Sequence, residues 1–271
     1  MKLCVLGSGS RGNAVLMQSR DTRILIDAGF SPRALGKRLL SIGVDPKSIE
    51  AVVLTHEHYD HMRGVGVSAK RWGWNVYATQ GTLDGCTDLS EVECHTLSNC
   101  ANVRIGDFAI DVVSISHDAT DPIAIVATGC ATGVRAGIVY DLGMFTSAIH
   151  TALQLVDLLV IESNHDVEML RNGPYPTVLK RRIASREGHL SNRDACAAAA
   201  ECAHRGMSHV VLAHLSETNN TPLTATDAMR AALRRTPFKG SIVAASQDFP
   251  SPAISAERAA AFGPAQLSLA L

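Results

Sequence analysis

The sequence has no strong excess of either charge, no long apolar run and no paired cysteine motif. Lys and Arg total 25 against 26 Asp and Glu, for a formal net charge of −1. Global charge therefore gives no sign of nucleic-acid or membrane binding, and any polyanion must be held by a local patch. Only four apolar residues lie between Lys2 and Gly7, too few for a secretion signal, and no segment approaches a membrane span. We therefore expect a cytoplasmic protein with no membrane contact.

The cysteines agree with that location. They are odd in number and scattered, and C-x-x-C pairs, which are typical of structural metal or redox sites, do not occur. Reduced, mostly buried thiols are typical of a cytosolic chain. The seven positions are Cys4, Cys86, Cys94, Cys100, Cys130, Cys196 and Cys202.

Apolar and alternating segments interleaved with amphipathic ones predict sheets covered by helices. With 46% hydrophobic residues the chain has ample material for a core. We predict one α/β domain over residues 1–249 and a loosely held tail over 250–271. The predicted strands are 2–6, 14–18, 23–27, 51–54, 75–78, 108–115, 123–128, 136–140, 158–162 and 209–213, and the predicted helices are 31–42, 61–72, 145–155, 176–185, 192–205 and 224–235.

The segment His56-Glu57-His58-Tyr59-Asp60-His61 carries the strongest chemical signal. It follows an apolar strand, and on an extended turn residues two apart point the same way, so His56 and His58 can hold one ion together. Asp60 and His61 are then free to hold a second ion beside it. Two adjacent metals can activate a shared hydroxide for attack on an ester or an amide at neutral pH.

Further ligands are expected where later strands end, because side chains there converge at one edge of a sheet. His117, Asp141 and His214 each follow an apolar strand. Any one of them alone is more often a turn or cap residue than a ligand. Three such residues in a chain that also contains the histidine cluster favour a dinuclear site.

The motif Gly7-Ser8-Gly9-Ser10-Arg11-Gly12 follows a strand and matches a dinucleotide-binding pattern. A dinucleotide site needs a helix after the last glycine, yet a strand pattern begins at Ala14. We therefore read a tight turn between two strands. A lesser alternative is that the turn touches a substrate phosphate, which makes Ser8 and Ser10 candidate substrate-binding residues.

The order of the histidine cluster, His117, Asp141 and His214 resembles the metallo-β-lactamase superfamily over nearly the whole chain. The resemblance implies a four-layer αβ/βα sandwich of two mixed sheets flanked by helices. It also implies one metal on His56, His58 and His117, a second on Asp60, His61 and His214, and Asp141 as the bridge. Asp60 is also counted among the catalytic residues.

Further segments resemble the YycJ/WalJ-type proteins, which are bacterial, cytoplasmic and nuclease-like. They are residues 6–14, 26–29, 140–143, 162–166, 188–192 and 214–216. The stretch His189-Leu190-Ser191 is also similar to a segment of tRNase Z. The chain departs from tRNase Z in lacking an evident flexible arm for tRNA, and it shows no long β-CASP insertion between Asp141 and His214.

His189 is the first candidate for the proton donor to the leaving oxygen, because it lies in a glycine-led loop and titrates near neutral pH. His165 is a second candidate, either as a catalytic residue or as a support for a ligand. Five cations surround His189 and suggest phosphate binding, although most charge runs are solvated helix faces. They are Lys180, Arg181, Arg182, Arg186 and Arg193, of which Arg182 and Arg186, with Ser191 and Asn192, are the predicted substrate-binding residues.

These features predict a dinuclear metal-dependent phosphodiesterase, a nuclease on DNA or RNA with exonuclease action as one option. A cyclic ribose phosphate phosphodiesterase, also related to the superfamily, and a glyoxalase II-like thioester hydrolase are enzymatic alternatives. A metal-binding regulatory or scaffold protein is the non-enzymatic one. The ligands suit Zn or Mn, and Fe as a third option. The partner is nucleic acid or another phosphodiester, and the oligomeric state stays open, with a homodimer as one option.

Overall fold

A computed structural model describes residues 1–86, 88–99 and 101–258 of the chain, and within these ranges two seven-stranded sheets form. In chain order the strands of the first sheet are β1 Lys2–Gly7, β2 Ala14–Ser19, β3 Thr22–Ile26, β4 Ala51–Val53, β5 Asn75–Thr79, β6 Cys94–Leu97 and, near the end of the chain, β14 Ile254–Ser255. Those of the second are β7 Asn102–Ile105, β8 Phe108–Ser114, β9 Ile123–Gly129, β10 Arg135–Val139, β11 Leu158–Glu162, β12 His209–Ala213 and β13 Ser241–Ala244.

The helices lie between the strands along the chain. Their bounds are α1 Pro32–Ser41, α2 Tyr59–Met62, α3 Val65–Trp72, α4 Gln80–Gly85, α5 Ser147–Ala152, α6 Val167–Asn172, α7 Thr177–Ile183, α8 Asn192–Cys202 and α9 Pro222–Leu233. Several begin at the side chains that helix ends require: Ser31 caps α1 and precedes a proline, and Ser191 caps α8.

Both sheets are mixed and have a similar internal order. The first runs β14-β1-β2-β3-β4-β5-β6, with parallel pairing from β3 to β6, and the second runs β13-β12-β11-β10-β9-β8-β7, with parallel pairing from β10 to β13. Alternate strand residues face opposite ways: Val53 packs in the core between the sheets, whereas Val52 packs beneath α1 and α3. Helices α5, α8 and α9 cover the other sheet. The predicted four-layer sandwich is confirmed.

The ten predicted strands all form, to within about a residue or two of their bounds. Four more strands, β6, β7, β13 and β14, and the helices α4 and α6 have no sequence counterpart in our predictions, because they are short and lack a clear apolar period. The predicted helix over 61–72 is wrong in its middle. Gly64 separates α2 from α3, and a Cβ there would lie 2.0 Å from the Phe30 carbonyl oxygen.

Part of the predicted tail packs against the first sheet and against the segment that precedes β11 in the second. Strand β14 pairs with Lys2 and Leu3, and the Arg258 guanidinium lies 2.8 Å from an Asp157 oxygen. Residues 259–271 lie outside the described residues, so the division at residue 249 stays a prediction. Cys100 also lies outside them, and of the six described cysteines, all free, three are buried. None of the helices in the described ranges is long and apolar enough to cross a membrane.

Candidate metal centre

The turn that carries the histidine cluster is held against the first sheet by its backbone. The Asn13 amide donates to the Asp60 carbonyl at 2.8 Å, and the Ala28 amide donates to the His61 carbonyl at 2.8 Å. Gly29 lies so close to this turn that a Cβ would stand 1.7 Å from the Asp60 carbonyl oxygen. Only glycine fits there, which explains the Asp-Ala-Gly sequence after β3 in physical terms.

Three histidines form the first group of converging ligand atoms. His58 Nδ1 lies 3.2 Å from His117 Nε2, and the ring centroids of His56 and His58 are 4.6 Å apart. One nitrogen from each of His56, His58 and His117 falls within a 4.8 Å cluster that could hold a metal ion. His117, which follows a strand of the second sheet, thus lies beside the histidine cluster that follows a strand of the first sheet.

Asp60, His61 and His214 form the second group. Asp60 Oδ2 lies 3.6 Å from His61 Nε2 and 3.4 Å from His214 Nε2. This set also fits within 4.8 Å. Residues 60 and 61 lie in α2, after strand β4 of the first sheet, and residue 214 follows β12 of the second, so both groups straddle the interface between the sheets.

Asp141 lies between the two groups. Its Oδ2 is 2.6 Å from His61 Nε2 and 4.0 Å from His56 Nε2, and its Oδ1 is 2.6 Å from His214 Nδ1. Despite these short separations, neither carboxylate oxygen makes a hydrogen bond of acceptable geometry, and both are buried. The seven predicted metal-ligating residues therefore meet at one place.

Four buried ligand atoms have no hydrogen-bond partner among the described residues, and they indicate what this site can bind. They are His56 Nε2, His214 Nε2 and the two Asp141 oxygens. Leaving such atoms unpaired in a protein interior is costly. A set of imidazole nitrogens and carboxylate oxygens matches the ligand preferences of divalent transition metals. The residues fit divalent metal ions.

Asp27 supports this centre from the first sheet, a role that we did not predict. Its carboxylate accepts hydrogen bonds from the Thr55 amide and hydroxyl at 2.8 Å each, from Tyr140 Oη at 2.7 Å and from His61 Nδ1 at 2.7 Å. Because a carboxylate only accepts, His61 Nδ1 must carry a proton, so Nε2, which lies 3.0 Å from the Asn13 side-chain amide, is the nitrogen that can bind metal.

Glu162 supports the centre from the second sheet and was likewise not predicted as a site residue. It is fully buried, and it accepts from His189 Nδ1 at 2.8 Å, from His214 Nδ1 at 3.0 Å and from the amides of Leu142 and Leu190. Asp141, Glu162, His189 and His214 also offer four ligand atoms within 4.8 Å. The Nδ1 hydrogen bonds to Glu162 nevertheless leave His214 Nε2 for the Asp60 and His61 group.

Charge compensation differs across the centre. Burial by itself would lower the pKa of His61 and His214, but neighbouring Asp141 raises both well above the usual value. Burial would raise the pKa of Asp141, yet His214 and His61 hold it well below its usual range. For His56 and His117 burial dominates and lowers the pKa, so both are neutral at pH 7, as metal binding requires.

Three residues at strand ends, Asp27, Asp141 and His214, have a left-handed backbone. Their φ angles are 62°, 54° and 52°. Asp and His tolerate this region better than most residues, although it still costs energy. Without this turn the chain would continue along the strand direction. In each case the turn instead directs the side chain to the edge that the two sheets share.

An open cavity of about 200 Å³ lies beside the cluster, and Ser10, Arg182 and His189 line it. Asp118, which we did not predict, also lines it and pairs with Arg182, whose Nε is 2.7 Å from Asp118 Oδ2. Of the predicted catalytic and substrate-binding residues, Ser8, Arg186, Asn192, His165 and Ser191 do not line this cavity.

Three of these residues instead make structural contacts. The Ser8 hydroxyl donates to Asn13 Oδ1 and accepts from the His214 amide, both at 2.8 Å. Asn192 exchanges amide hydrogen bonds with Asn220 in the interior. The Ser191 hydroxyl caps α8 and donates to Asp194. Its neighbours His165 and His189 border a separate cavity.

The turn over residues 7–12 connects β1 and β2, as the strand pattern predicts, and its amides are mostly used internally. Gly9 N–H donates to Asn13 Oδ1 at 2.9 Å, and Arg11 N–H donates to Gln247 Oε1 at 2.8 Å. Ser10 is the residue of this turn that also reaches the cavity.

Comparison with known proteins agrees with this geometry. The model of the β-lactamase superfamily domain matches residues 22–215. The chain is 33% identical to Exodeoxyribonuclease WalJ of Streptococcus pneumoniae over 237 residues, 81% of this chain and 83% of that protein. It is 33% identical to Exodeoxyribonuclease YycJ of Bacillus anthracis over 220 residues, 80% and 83% of the two chains.

Among solved structures, the metallo-β-lactamase fold protein YhfI of Bacillus subtilis superimposes with a TM-score of 0.71, over 92% of this chain and 98% of that one. Its sequence is 20% identical, so the likeness concerns the fold alone. The chain combines the fold of this superfamily with clustered His and Asp side chains, and this combination implies divalent metal ions. On the matched family model and the two relatives that align over four fifths of its length, the chain belongs to the β-lactamase superfamily.

Proposed function

We propose that the protein is a metal-dependent phosphodiesterase that acts as a nuclease, with DNA as the preferred substrate and cleavage from a strand end. One observation carries the metal chemistry: two groups of ligands meet at Asp141, and four buried nitrogen and oxygen atoms there have no hydrogen-bond partner among the described residues. The substrate class is supported by two relatives named exodeoxyribonuclease.

Two ions are proposed, one held by His56, His58 and His117 and one by Asp60, His61 and His214, with Asp141 contributing to both. When bound, divalent ions lower the pKa of water and neutralise charge on phosphate oxygens. The chain itself orients the ligands, because Asp27 fixes the tautomer of His61 and Glu162 fixes that of His214. Zn or Mn is the proposed metal, and Fe is a third option.

His189 is the proposed proton donor to the leaving oxygen. It lines the cavity, and its ring centroid is 5.2 Å from that of His117 and 5.1 Å from that of His214. Burial alone would lower its pKa, but Glu162 and Asp141 raise the pKa of His189 to about 9. These two carboxylates therefore favour the protonated imidazole, the state in which it can act as a general acid.

Arg182 is the proposed contact for the nonbridging phosphate oxygens. It is exposed at the cavity, and Asp118 holds the guanidinium over the site. A planar fork of donors suits a phosphodiester. A thioester or a lactam gives no reason for a cation at this position, which favours phosphodiesters over glyoxalase-like substrates.

The test is metal analysis of the purified protein followed by cleavage of end-labelled DNA and RNA, with His58→Ala as the control. We expect bound divalent metal, release of nucleotides from DNA ends and loss of cleavage in the variant. Parallel assays with an acyl-glutathione and with a cyclic ribose phosphate test the two enzymatic alternatives. Absence of cleavage of DNA, RNA and bis(p-nitrophenyl) phosphate by metal-loaded protein would exclude the proposal. Inactivity on the acyl-glutathione and the cyclic ribose phosphate as well would leave a non-enzymatic metal-binding role.

A cytoplasmic location is part of the proposal, supported by the free cysteine thiols.

A further inference from the structure

A second cavity, of about 550 Å³, adjoins the first one. His189 lines both, and helix α7 separates them. Leu179, Arg182 and Ile183 face the first cavity, whereas Thr177, Lys180, Arg181 and Ala184 face the second. Its volume falls within the range typical of small-molecule sites and is large enough for a nucleotide.

The charged groups of this second cavity are mostly cationic. Arg171, Lys180 and Arg181 line it, together with one carboxylate, Asp194. Asp194 is engaged with the Ser191 hydroxyl at 2.7 Å, and Arg171 pairs with Glu168. Arg181 is exposed and has no ion-pair partner in the described part of the chain. Ser191 also places the N-terminus of the eleven-residue helix α8 at the wall, which favours an anion.

His165 supplies an independent indication of a ligand. Its side chain lines the same cavity although the residue is only 3% exposed. Its Nδ1 is buried without a hydrogen-bond partner in the described structure. An unpaired buried imidazole nitrogen is destabilising unless something else pairs with it. The second cavity therefore combines a polar group that lacks a partner with cations suited to an anionic ligand.

We propose that this second cavity binds the terminal phosphate group of a nucleic-acid strand while the adjacent phosphodiester lies at the metal centre. The inference rests on the proposed nuclease function and deepens it. A terminal phosphomonoester carries a charge of roughly −1.5 to −2, more than an internal diester, so a cationic cavity discriminates in favour of an end. Occupation of the two neighbouring cavities together fixes the cut near the strand end.

The apolar part of the cavity fits the rest of a terminal nucleotide. Val167 and Leu170 of α6 line the cavity together with the cations of α7. A base can contact this apolar part while its phosphate meets Lys180 and Arg181. His165, next to α6, then pairs with the ligand and not with a metal, which replaces the catalytic role predicted for it from the sequence.

The test measures binding without cleavage. Three fluorescent single-stranded DNA oligonucleotides of one sequence carry a 5′-phosphate, a 3′-phosphate or hydroxyls at both ends, and their affinities are measured by anisotropy in EDTA. We expect one of the phosphorylated strands to bind about tenfold more tightly than the hydroxyl strand, the factor that one charge-assisted hydrogen bond supplies. The phosphorylated arm that gains affinity identifies the end.

Variants connect the preference to the cavity. Arg181→Ala and Lys180→Ala should each reduce the preference severalfold, and the double variant should abolish it. Arg235→Ala is the matched control, because this exposed arginine lies beyond α9 and lines neither cavity. His165→Gln should reduce the preference too, and its melting temperature shows whether the buried substitution is folded.

The outcomes separate this inference from the nuclease function. Equal affinity for all three strands, or a preference that survives the Lys180→Ala/Arg181→Ala double variant, overturns the terminal-phosphate site even if DNA is cleaved. A preference that depends on these residues, found in a protein that cleaves no nucleic acid when loaded with metal, supports the binding site and overturns the nuclease function.

Discussion

The two halves of the chain support the metal centre in different ways. In the first half the buried carboxylate of Asp27 binds one histidine, His61, and is otherwise surrounded by groups of Thr55 and Tyr140. In the second half the buried carboxylate of Glu162 binds two histidines, His189 and His214. Asp27 therefore fixes a single ligand within the core.

Glu162 instead connects the proposed ligand His214 to His189, which lines the cavity. His214 is buried, whereas the His189 side chain is 23% exposed at the cavity. A change at Glu162 must therefore reach both metal binding and proton transfer, while a change at Asp27 reaches the metal alone. The difference suggests that the first half mainly holds ions and that the second half joins them to the reaction.

The largest effect is expected where the halves meet. Asp141→Asn removes the charge that both ligand groups share but keeps a residue that tolerates the left-handed backbone. We expect loss of bound metal and a fall in cleavage rate on the order of a thousandfold, equivalent to several kcal/mol. Metal analysis and initial rates measure it. A variant with wild-type metal content and a rate within about twofold would show that Asp141 does not join the halves.

Gly29→Ala should break the support of the first half through packing alone. Its Cβ would collide with the Asp60 carbonyl oxygen, so the turn must move or the protein must lose about 3 kcal/mol or more of stability. Thermal or urea unfolding measures this loss. Gly43→Ala is the control, since no atom lies within 4 Å of a Cβ there and only backbone strain of about 1 to 2 kcal/mol is expected. Equal losses in the two variants would contradict the close approach.

Asp27→Asn and Glu162→Gln test the difference between the two halves of the chain. Each removes one negative charge at nearly constant volume. Both should weaken metal binding by roughly 10- to 100-fold. Excess metal should restore the rate of Asp27→Asn. In Glu162→Gln the rate should stay depressed at saturating metal, because His189 has lost the carboxylate that keeps it protonated. Metal titrations of the rate measure this, and equal rescue of both variants would remove the distinction between the halves.

The smallest effect is expected at the rim of the second half. Arg182→Ala should raise the KM for an oligonucleotide about tenfold and should reduce the salt dependence of binding by about one phosphate contact. Hydrolysis of bis(p-nitrophenyl) phosphate should also be impaired, because its phosphate has the same nonbridging oxygens. Steady-state rates at two or more salt concentrations measure both quantities. A variant whose KM and salt dependence match those of Arg235→Ala would show that Arg182 does not contact the strand.

The order of elements and the predicted ligands could be taken from the sequence because each depends on a local pattern. His56 to His61 follow a strand directly, and Asp141 and His214 end apolar strands. Glu162 ends an apolar strand in the same way, so the same sequence pattern marks it as a candidate site residue. The role of Asp27 is less accessible, since its partners Tyr140 and Thr55 meet it only after the sheets pack.

The polar residues around glycine turns were the hardest to interpret. Ser8 and Asn192 occur in short motifs beside predicted catalytic residues, which favours substrate contact. In the fold their side chains bond to Asn13, the His214 amide and Asn220, because a turn that enters the core must pair its own polar groups. Those partners are distant in sequence and no local pattern announces them.

Strand β14 can join the first sheet only late in the synthesis of the chain. It pairs with the edge of β1, so the first sheet receives its seventh strand only after about residue 255 has been synthesised. Until then the nascent chain exposes the free backbone of an edge strand, the kind of surface through which chains associate wrongly. A chain that stops before Ile254 would leave the edge of β1 unpaired. Strand β14 therefore protects a sheet whose other strands are synthesised well before it.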